Sequence, residues 1–140
     1  MRRQSTTRAK YGNRKVTILG LTFDSIAEAK RYEELKLLEY AGEIRGLVRQ
    51  PRYVLQEAFF DNEGKRNQAI VYVGDFFYRV GGQNVVEDVK GIETPVFKIK
   101  AKLFRKHYDG VKLVVVGSGY VSAPKRARRG LSTRVEGDLT

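Results

Sequence analysis

The fold is built around the stretch from Ala69 to Lys90, which reads A-I-V-Y-V-G-D-F-F-Y-R-V-G-G-Q-N-V-V-E-D-V-K. Two runs of apolar, β-branched and aromatic residues, 69–80 and 85–89, flank the segment Gly81-Gly82-Gln83-Asn84. Glycine and asparagine adopt positive φ more readily than other residues, and β-branched and aromatic residues favour strands. The pattern therefore predicts a β-hairpin.

Charged residues interrupt these apolar runs, and three of them bear on a possible site. Asp75 falls in the first run, Asp88 falls in the second, and Lys90 directly follows the second. A carboxylate in a buried strand is costly unless it is paired or bound to a metal. Because side chains alternate between the faces of a strand, Asp88 and Lys90 share a face, and Asp75 can lie opposite them. We expect two carboxylates and an ammonium to converge on one spot.

Length and composition limit the class of protein. A chain of 140 residues, 41% of them hydrophobic, predicts one folded domain with a real core. With no cysteine and one histidine, any metal is expected to be a hard, oxygen-ligated ion, Mg²⁺ or Mn²⁺. No stretch resembles a membrane span or the apolar core of a signal peptide, so we expect a cytoplasmic protein.

The net charge of +11 is concentrated at the two ends. Residues 1–15 hold six Lys/Arg and no acid, and residues 122–140 hold five against two acids. This predicts basic arms at 1–14 and 122–140 around a domain at 15–121, which grip a polyanion. Alternatively, the arms only aid solubility or bind nucleic acid non-specifically. The expected DNA-binding residues are Arg2, Arg3, Arg8, Lys10, Lys98, Lys102, Lys125, Arg126, Arg128 and Arg129.

The order of predicted elements begins with short β-type runs around Gly20 and a helix from Asp24-Ser25 to about Ala41. A β-rich stretch at 44–60, broken at Gln50-Pro51, precedes the hairpin. A second helix follows from Thr94-Pro95 to about Tyr108. The apolar run at 111–116 is expected to be a strand inside the sheet, with both faces covered.

Glu28 has two interpretations. Ser25-Ile26-Ala27-Glu28 fits a capping box, in which the glutamate accepts a hydrogen bond from the backbone N–H of the cap residue. Alternatively, a carboxylate in the first turn of a helix that abuts a sheet reaches the charged strand residues. The spacing alone favours the cap.

Lys100 is unusual within the second predicted helix. At 100° per residue it falls near the middle of a broad apolar face. It either extends its ammonium to the edge of that face or points at an anionic group inside. The residues expected to form the face are Val96, Phe97, Ile99, Leu103, Phe104 and His107.

Three carboxylates and a lysine, without a catalytic His or Cys, suit metal-assisted hydrolysis of phosphodiesters. The acids hold Mg²⁺, which activates a water and polarises the phosphate, and the lysine positions that water or offsets developing negative charge.

Asp75 and the segment Asp88-Val89-Lys90 resemble the signature of the PD-(D/E)XK nuclease superfamily. The segment from Phe23 to Ala29 resembles the first-helix motif of that group. The span from about Tyr11 to Val116 resembles a small phage-encoded family of endonuclease-like or Holliday-junction-resolvase-like proteins. The resemblance implies an α/β fold of restriction-endonuclease type, in which a mixed four-stranded sheet in αβββαβ order is flanked by helices.

The resemblance also implies roles for individual residues. Asp75, Asp88 and the carbonyl of Val89 would be metal ligands, and Lys90 the catalytic lysine. Glu28 would be an accessory acid of the metal site, and Lys100 an auxiliary residue.

Two positions depart from the superfamily pattern. Gly74 stands where the superfamily name has proline. Glu87 is an additional acid beside Asp88, expected on the other face of the strand as a surface or arm-binding charge, although a slip in register would exchange their roles.

The leading hypothesis is a Mg²⁺-dependent DNA endonuclease of phage recombination or replication, acting in the bacterial host on branched DNA such as a four-way junction. Two symmetric incisions imply a homodimer. The alternative is a non-catalytic nucleic-acid-binding protein, in which the acids form buried salt bridges to Lys90 and Lys100. A nucleotide site at Gly117-Ser118-Gly119 is disfavoured, because the third glycine and the following helix are missing.

Overall fold

The computed structural model describes residues 15–117, so both predicted basic arms lie outside the described residues. Within this range the strands and helices follow in the order β1 (Val16–Ile18), β2 (Leu21–Phe23), α1 (Ile26–Tyr40), β3 (Arg45–Arg49), β4 (Arg52–Gln56), β5 (Phe59–Phe60), β6 (Arg66–Asn67), β7 (Ile70–Val73), β8 (Phe76–Val80), β9 (Gln83–Lys90), α2 (Pro95–His107) and β10 (Val111–Gly117).

The central sheet has four strands in the order β10-β9-β8-β3. β10 runs parallel to β9, and the other neighbours are antiparallel. Ala29, Tyr32 and Leu35 of α1 pack with Phe76 and Tyr78 of β8 in one apolar cluster. A second cluster, on the other face, joins α2 to β9 and β10 through Phe97, Ala101, Phe104, Val86 and Leu113. The sequence α1-β3-β8-β9-α2-β10 confirms the predicted α/β fold with its mixed four-stranded sheet.

Both helices begin with a hydrogen-bonded cap. Ser25 accepts from the backbone N–H of Glu28, and Thr94 accepts from that of Phe97, with Pro95 at the first helical position. α1 ends at Tyr40, just before Gly42, whose φ of +75° favours glycine. Neither helix of residues 15–117 is long and apolar enough to cross a membrane.

The central hairpin is tighter than the sequence indicated. Val80 pairs with Gln83, so the turn consists of Gly81 and Gly82 alone, with φ of +52° and +81°. Positive φ at both central residues is the geometry that matches the twist of a two-residue hairpin. Gln83 and Asn84, predicted in the turn, therefore begin β9.

The predicted strand at 69–80 is divided into β7 and β8 by Gly74-Asp75, and β3 and β4 are divided by Gln50-Pro51. Two backbone hydrogen bonds cross the break, from Gln50 N to Asp75 O (2.9 Å) and from Gly74 N to Pro51 O (3.0 Å). The register is the same on both sides, since Arg49 pairs with Phe76 and Arg52 pairs with Val73.

The two-stranded ribbon that continues through the break, β3-β4 paired with β8-β7, nevertheless turns over there. The side chains of each strand thereby exchange faces. Phe76 and Tyr78 belong to the α1 cluster, whereas Tyr72, which strict alternation would place on the same face, belongs to the α2 cluster. The partner strand changes in the same way, because Leu47 packs with the first cluster and Leu55 with the second. Gln50 has a φ of +51° at the point of reversal. The two strands thus rotate together where Asp75 lies.

The prediction for the last strand was wrong in one respect. Among the described residues β10 is the edge of the central sheet, beyond β9, and Val114, Val115 and Val116 are half-buried. Its apolar run is covered by helices but has no neighbouring strand on its outer side within residues 15–117.

Candidate active site

Asp75 lies where the ribbon turns over, one residue beyond the Phe76–Glu87 pair of the hairpin. Its backbone N–H donates to the carbonyl of Glu87 (2.9 Å), and its Oδ2 accepts from the backbone N–H of Val89 (2.6 Å). The carboxylate thereby takes a position that a backbone carbonyl holds in a regular ladder. The structure therefore fixes the Asp75 carboxylate beside the strand that carries Asp88 and Lys90.

Asp88 and Lys90 share the face of β9 that is turned toward α2, as alternation predicted. Lys90 Nζ lies 3.2 Å from Asp88 Oδ1 and 4.7 Å from the centre of the Phe97 ring. Asp88 is buried, and its Oδ2 accepts from the hydroxyl of Tyr72 at 2.7 Å. Burial and this bond to the carboxylate raise the pKa of Tyr72, which stays a hydrogen-bond donor.

Glu28 is buried in the first turn of α1, and its two oxygens differ. Oε2 accepts from the backbone N–H of Asp24 at 3.3 Å, one residue before the predicted partner, Ser25. Oε1 is buried and has no hydrogen-bond partner among the described residues. The cap is thus a variant of the predicted capping box that uses only one of the two carboxylate oxygens, Oε2. Glu28 can therefore still be a helix cap or a member of the cluster of acids.

Asp75 and Glu28 lie close enough to Asp88 for its charge to raise the pKa of each. Burial, followed by the charge of Asp88, raises the pKa of Asp75 to about 7, and the charge of Glu28 adds to the effect. Burial and the charge of Asp24 raise the pKa of Glu28, and Asp88 adds a smaller contribution. Burial and the charges of neighbouring carboxylates thus disfavour ionisation of Asp75 and Glu28. A cation between them would relieve this repulsion.

The chemistry of the donors fits a hard cation, although the side chains do not form a tight cage. No group of three Asp, Glu or His side chains within residues 15–117 is arranged closely enough to hold a metal ion. The unpartnered Glu28 Oε1 is an available oxygen. Asp88 Oδ1 faces Lys90, which a cation would have to displace in part. Oxygen donors alone favour Mg²⁺ or Mn²⁺ over zinc.

Arg49 is a cation of this region that sequence reasoning missed. Its guanidinium lies 4.2 Å from the centre of the Phe23 ring and donates to the carbonyl of Thr22 at 2.7 Å. Its charge lowers the pKa of Glu28, opposing the effect of burial. Arg49 precedes the Gln50-Pro51 break, and only the folded ribbon brings it to the start of α1.

Glu87 corrects another expectation. It faces away from Asp88, as predicted, but it is fully buried rather than a surface or arm-binding charge. Arg31 of α1 binds it through Nε and Nη2, the latter at 2.8 Å, and the hydroxyl of Tyr78 donates to it at 2.6 Å. Glu87 therefore ties α1 to the sheet on the face opposite Asp88.

The predicted apolar face of α2 was partly wrong. Its buried residues are Phe97, Ala101 and Phe104, whereas Val96 and Ile99 are largely exposed. Of the other two residues predicted for that face, His107 is exposed and Leu103 is half-buried. The face is therefore narrower than the sequence indicated.

The candidate lysines of α2 lie outside the cluster of acids. Lys100 is half-buried at the margin of the buried face. No hydrogen bond or ion pair in the described range joins it to Asp75 or Asp88. Lys98 and Lys102 are exposed, as a role in DNA binding requires. The other expected DNA-binding residues lie outside the described residues.

Fold and site together define an α/β protein with a mixed four-stranded sheet, whose acidic residues and lysine meet where the sheet's ribbon turns over. Residues 8–122 match the family described as Protein of unknown function (DUF1064), and the chain belongs to that family. No curated protein matches the chain, and neither does any solved structure.

Proposed function

We propose that the protein is a Mg²⁺-dependent DNA endonuclease of the PD-(D/E)XK type. The observation that carries the proposal is the contact between Lys90 and Asp88, with Asp75 held across the hairpin at the N–H of Val89. Glu28 adds a buried oxygen without a partner in the described part of the chain. Acidic oxygens and an ammonium on one sheet end are the groups that phosphodiester hydrolysis requires.

In this proposal Asp75, Asp88, Glu28 and the carbonyl of Val89 would hold the metal. When bound, Mg²⁺ would polarise the phosphate and lower the pKa of a water. Lys90 is placed to exchange part of its contact with Asp88 for the phosphate or the attacking water. The Phe97 ring beneath its ammonium limits where the lysine can point.

The distribution of charge supports a nucleic-acid substrate. The chain carries a net charge of +11, and Lys98 and Lys102 are exposed on the helix that also contributes Phe97. Each phosphate that a lysine or arginine neutralises releases counterions, which favours binding. We extend the proposal to branched DNA, cut by a homodimer in phage recombination or replication, because paired incisions require two copies of the site.

A second candidate is a non-catalytic DNA-binding protein on the same fold. The contacts of Asp88 favour it, because both of its oxygens already have partners, Lys90 and Tyr72. A buried carboxylate with such partners is stable without a metal. In that case Lys90 serves as the salt-bridge partner of the buried Asp88, whereas the second expected bridge, from Lys100, is not among the contacts of the described residues.

The test is a cleavage assay on labelled DNA of matched length: a four-way junction, a flap, a linear duplex and a single strand. Each is incubated with Mg²⁺, Mn²⁺ or excess EDTA, and binding is measured in parallel. The proposal expects cleavage with Mg²⁺ or Mn²⁺, none in EDTA, and the fastest rate on a branched substrate. Binding without cleavage at any metal concentration would favour the second candidate, and full activity in EDTA would exclude a metal.

A further inference from the structure

A small projection between β4 and β7 carries two exposed aromatic side chains. Residues 59–67, here named the finger, consist of β5, a turn and β6, with Phe59 paired to Asn67 and Phe60 to Arg66. Phe60 exposes 70% of its surface and Phe59 44%, and neither belongs to the two apolar clusters of the described residues. Both rings are therefore available to a binding partner rather than used in the core.

The turn of the finger is tightly built. Asp61 Oδ1 accepts from the backbone N–H groups of Glu63 and Lys65, both at 2.9 Å, and its Oδ2 accepts from the Asn67 amide at 3.1 Å. The backbone of Asp61 also donates to the carbonyl of Lys65 (2.9 Å). A two-residue ribbon has little stability of its own, so these bonds hold it in shape. Phe60 is thus presented on a preorganised support.

Phe60 and Arg66 share one face of the finger, because directly paired residues of antiparallel strands point the same way. Arg66 is exposed, and one of its terminal nitrogens donates to the Gln68 side chain at 3.1 Å. A flat ring next to a guanidinium suits an unpaired nucleobase and its phosphate, because the base stacks on the ring and the cation meets the backbone.

The small apolar area of the finger favours a nucleobase over a protein as its partner. Phe59 and Phe60 point to opposite faces of β5, so each face offers one ring with at most about 250 Å² of apolar area. A stable protein interface needs about 800 Å² on each partner. One stacked base needs the face of a single ring. The charges of Asp61 and Glu63 are balanced by those of Lys65 and Arg66, so the finger carries no net charge and does not repel a phosphate.

We propose that the finger binds an unpaired DNA base by stacking it on Phe60 beside Arg66, and so selects branched or distorted DNA. This inference deepens the proposed function and rests on it for the nature of the polymer. Asp75 is the ninth residue after Arg66, and nine steps of about 3.3 Å limit the distance between them to about 30 Å. On DNA with a rise of about 3.4 Å per nucleotide, incision falls within about nine nucleotides of the unpaired base.

The experiment uses the full-length protein in EDTA, so that binding is measured without cleavage. The probes are a duplex with one unpaired 2-aminopurine, a four-way junction, and a fully paired duplex of the same length. Phe60→Ala is compared with the wild type, with Phe60→Tyr, which keeps a ring, and with Tyr40→Ala. Tyr40 is 95% exposed on α1 and serves as the matched control for loss of a surface aromatic residue.

Phe60→Ala is expected to weaken binding to the unpaired-base and junction probes by about fivefold to 100-fold, with little change on the paired duplex. Phe60→Tyr and Tyr40→Ala should bind like the wild type. The wild type should also quench 2-aminopurine fluorescence, a signal that needs no variant. Equal losses on all probes, or no loss, overturn the inference. A change in sedimentation mass caused by Phe60→Ala also overturns it, since the finger would then join two copies.

The two proposals fail in different ways. If Phe60 stacks a base but no DNA is cleaved in Mg²⁺, the role of the finger is supported and the endonuclease proposal is contradicted. If branched DNA is cleaved and neither binding nor cleavage depends on Phe60, the endonuclease proposal is supported and the role of the finger is contradicted.

Discussion

The hydroxyl of Tyr72 donates a 2.7 Å hydrogen bond to Oδ2 of Asp88, and both residues are buried. A hydroxyl that donates to one oxygen of a carboxylate fixes the plane of that group. The other oxygen, Oδ1, is left to face Lys90 at 3.2 Å. Tyr72 therefore orients the central acid of the candidate site.

Tyr72→Phe should weaken metal binding and cleavage while the fold is retained. The ring still packs against Phe97 and Phe104, but Asp88 loses a charge-assisted bond, whose loss costs about 1–3 kcal/mol. We expect a higher Mg²⁺ concentration for half-maximal cleavage, and Mg²⁺ titration of the variant measures it. Tyr53→Phe, a ring contact of the same cluster, is the control. An unchanged Mg²⁺ requirement would limit Tyr72 to packing.

The meeting of Tyr72 and Asp88 shows why part of the site could not be predicted. Strict alternation places Tyr72 on the same face as Phe76 and Tyr78, which is the α1 side. The rotation of the ribbon at Gly74-Asp75 brings it to the α2 side instead. Alternation is a local rule, and it fails where a strand is interrupted. Asp75, Asp88 and Lys90 were predictable because the two acids are adjacent across a short hairpin, and the last two share one uninterrupted strand.

Glu28→Gln distinguishes a ligand from a cap. Glutamine still accepts a hydrogen bond from the Asp24 N–H, so the melting temperature should barely change. The substitution removes a negative charge from the cluster of acids, so cleavage should fall by orders of magnitude or demand much more Mg²⁺. Glu33→Gln, on the exposed side of α1, is the matched control. Wild-type turnover of the Glu28 variant at ordinary Mg²⁺ would return this residue to the role of a cap.

Asp75 should make the metal-free protein less stable as the pH rises. Its folded pKa of about 7 lies above the ordinary value of 3.8, so the folded state holds this proton more tightly than the unfolded state. The stabilisation is fully present below pH 4 and is lost as the pH rises through 7. Its size is on the order of 1–4 kcal/mol.

Urea unfolding in EDTA at pH 5 and pH 8 measures this effect. Asp75→Asn should flatten the difference between the two pH values, since asparagine can still accept from the Val89 N–H. Asp109→Asn, on the exposed loop before β10, should not. Equal pH dependence of the Asp75 variant and the wild type would show that this carboxyl ionises without penalty.

Gly74 should tolerate no side chain, although its φ is ordinary. A Cβ at this position would lie 2.6 Å from Cγ1 of Val86, which is fully buried. Gly74→Ala should therefore lower the free energy of unfolding by about 1–3 kcal/mol. Gly110→Ala, where no atom lies within 4 Å of the added carbon, is the control in the same denaturation experiment. Equal stability of the two variants would contradict the close contact between Gly74 and Val86 at the break.

The resemblance implied roles for individual residues, but packing determines which of these residues contact one another. Both helices and their caps were predictable, because capping residues and apolar runs are local signals. The mixed four-stranded sheet was implied by the resemblance and not by those signals. The burial of Glu87 was not, since its partner Arg31 is 56 residues away in the chain. The position of Arg49 beside Glu28 depends on the same long-range folding. Charge pairs across distant elements have no local signal in a single sequence.

Lys90→Ala provides the most direct test of the central claim that this cluster hydrolyses DNA. The ammonium lies at Asp88 Oδ1, half-exposed at the end of β9, so its removal should leave fold and DNA binding largely intact. Single-turnover cleavage of a labelled four-way junction in Mg²⁺ should be abolished by Lys90→Ala and unaffected by Lys30→Ala, an exposed lysine of α1 that has no part in the proposed site or in the finger. Normal cleavage by the Lys90 variant, at equal DNA binding, would contradict the account.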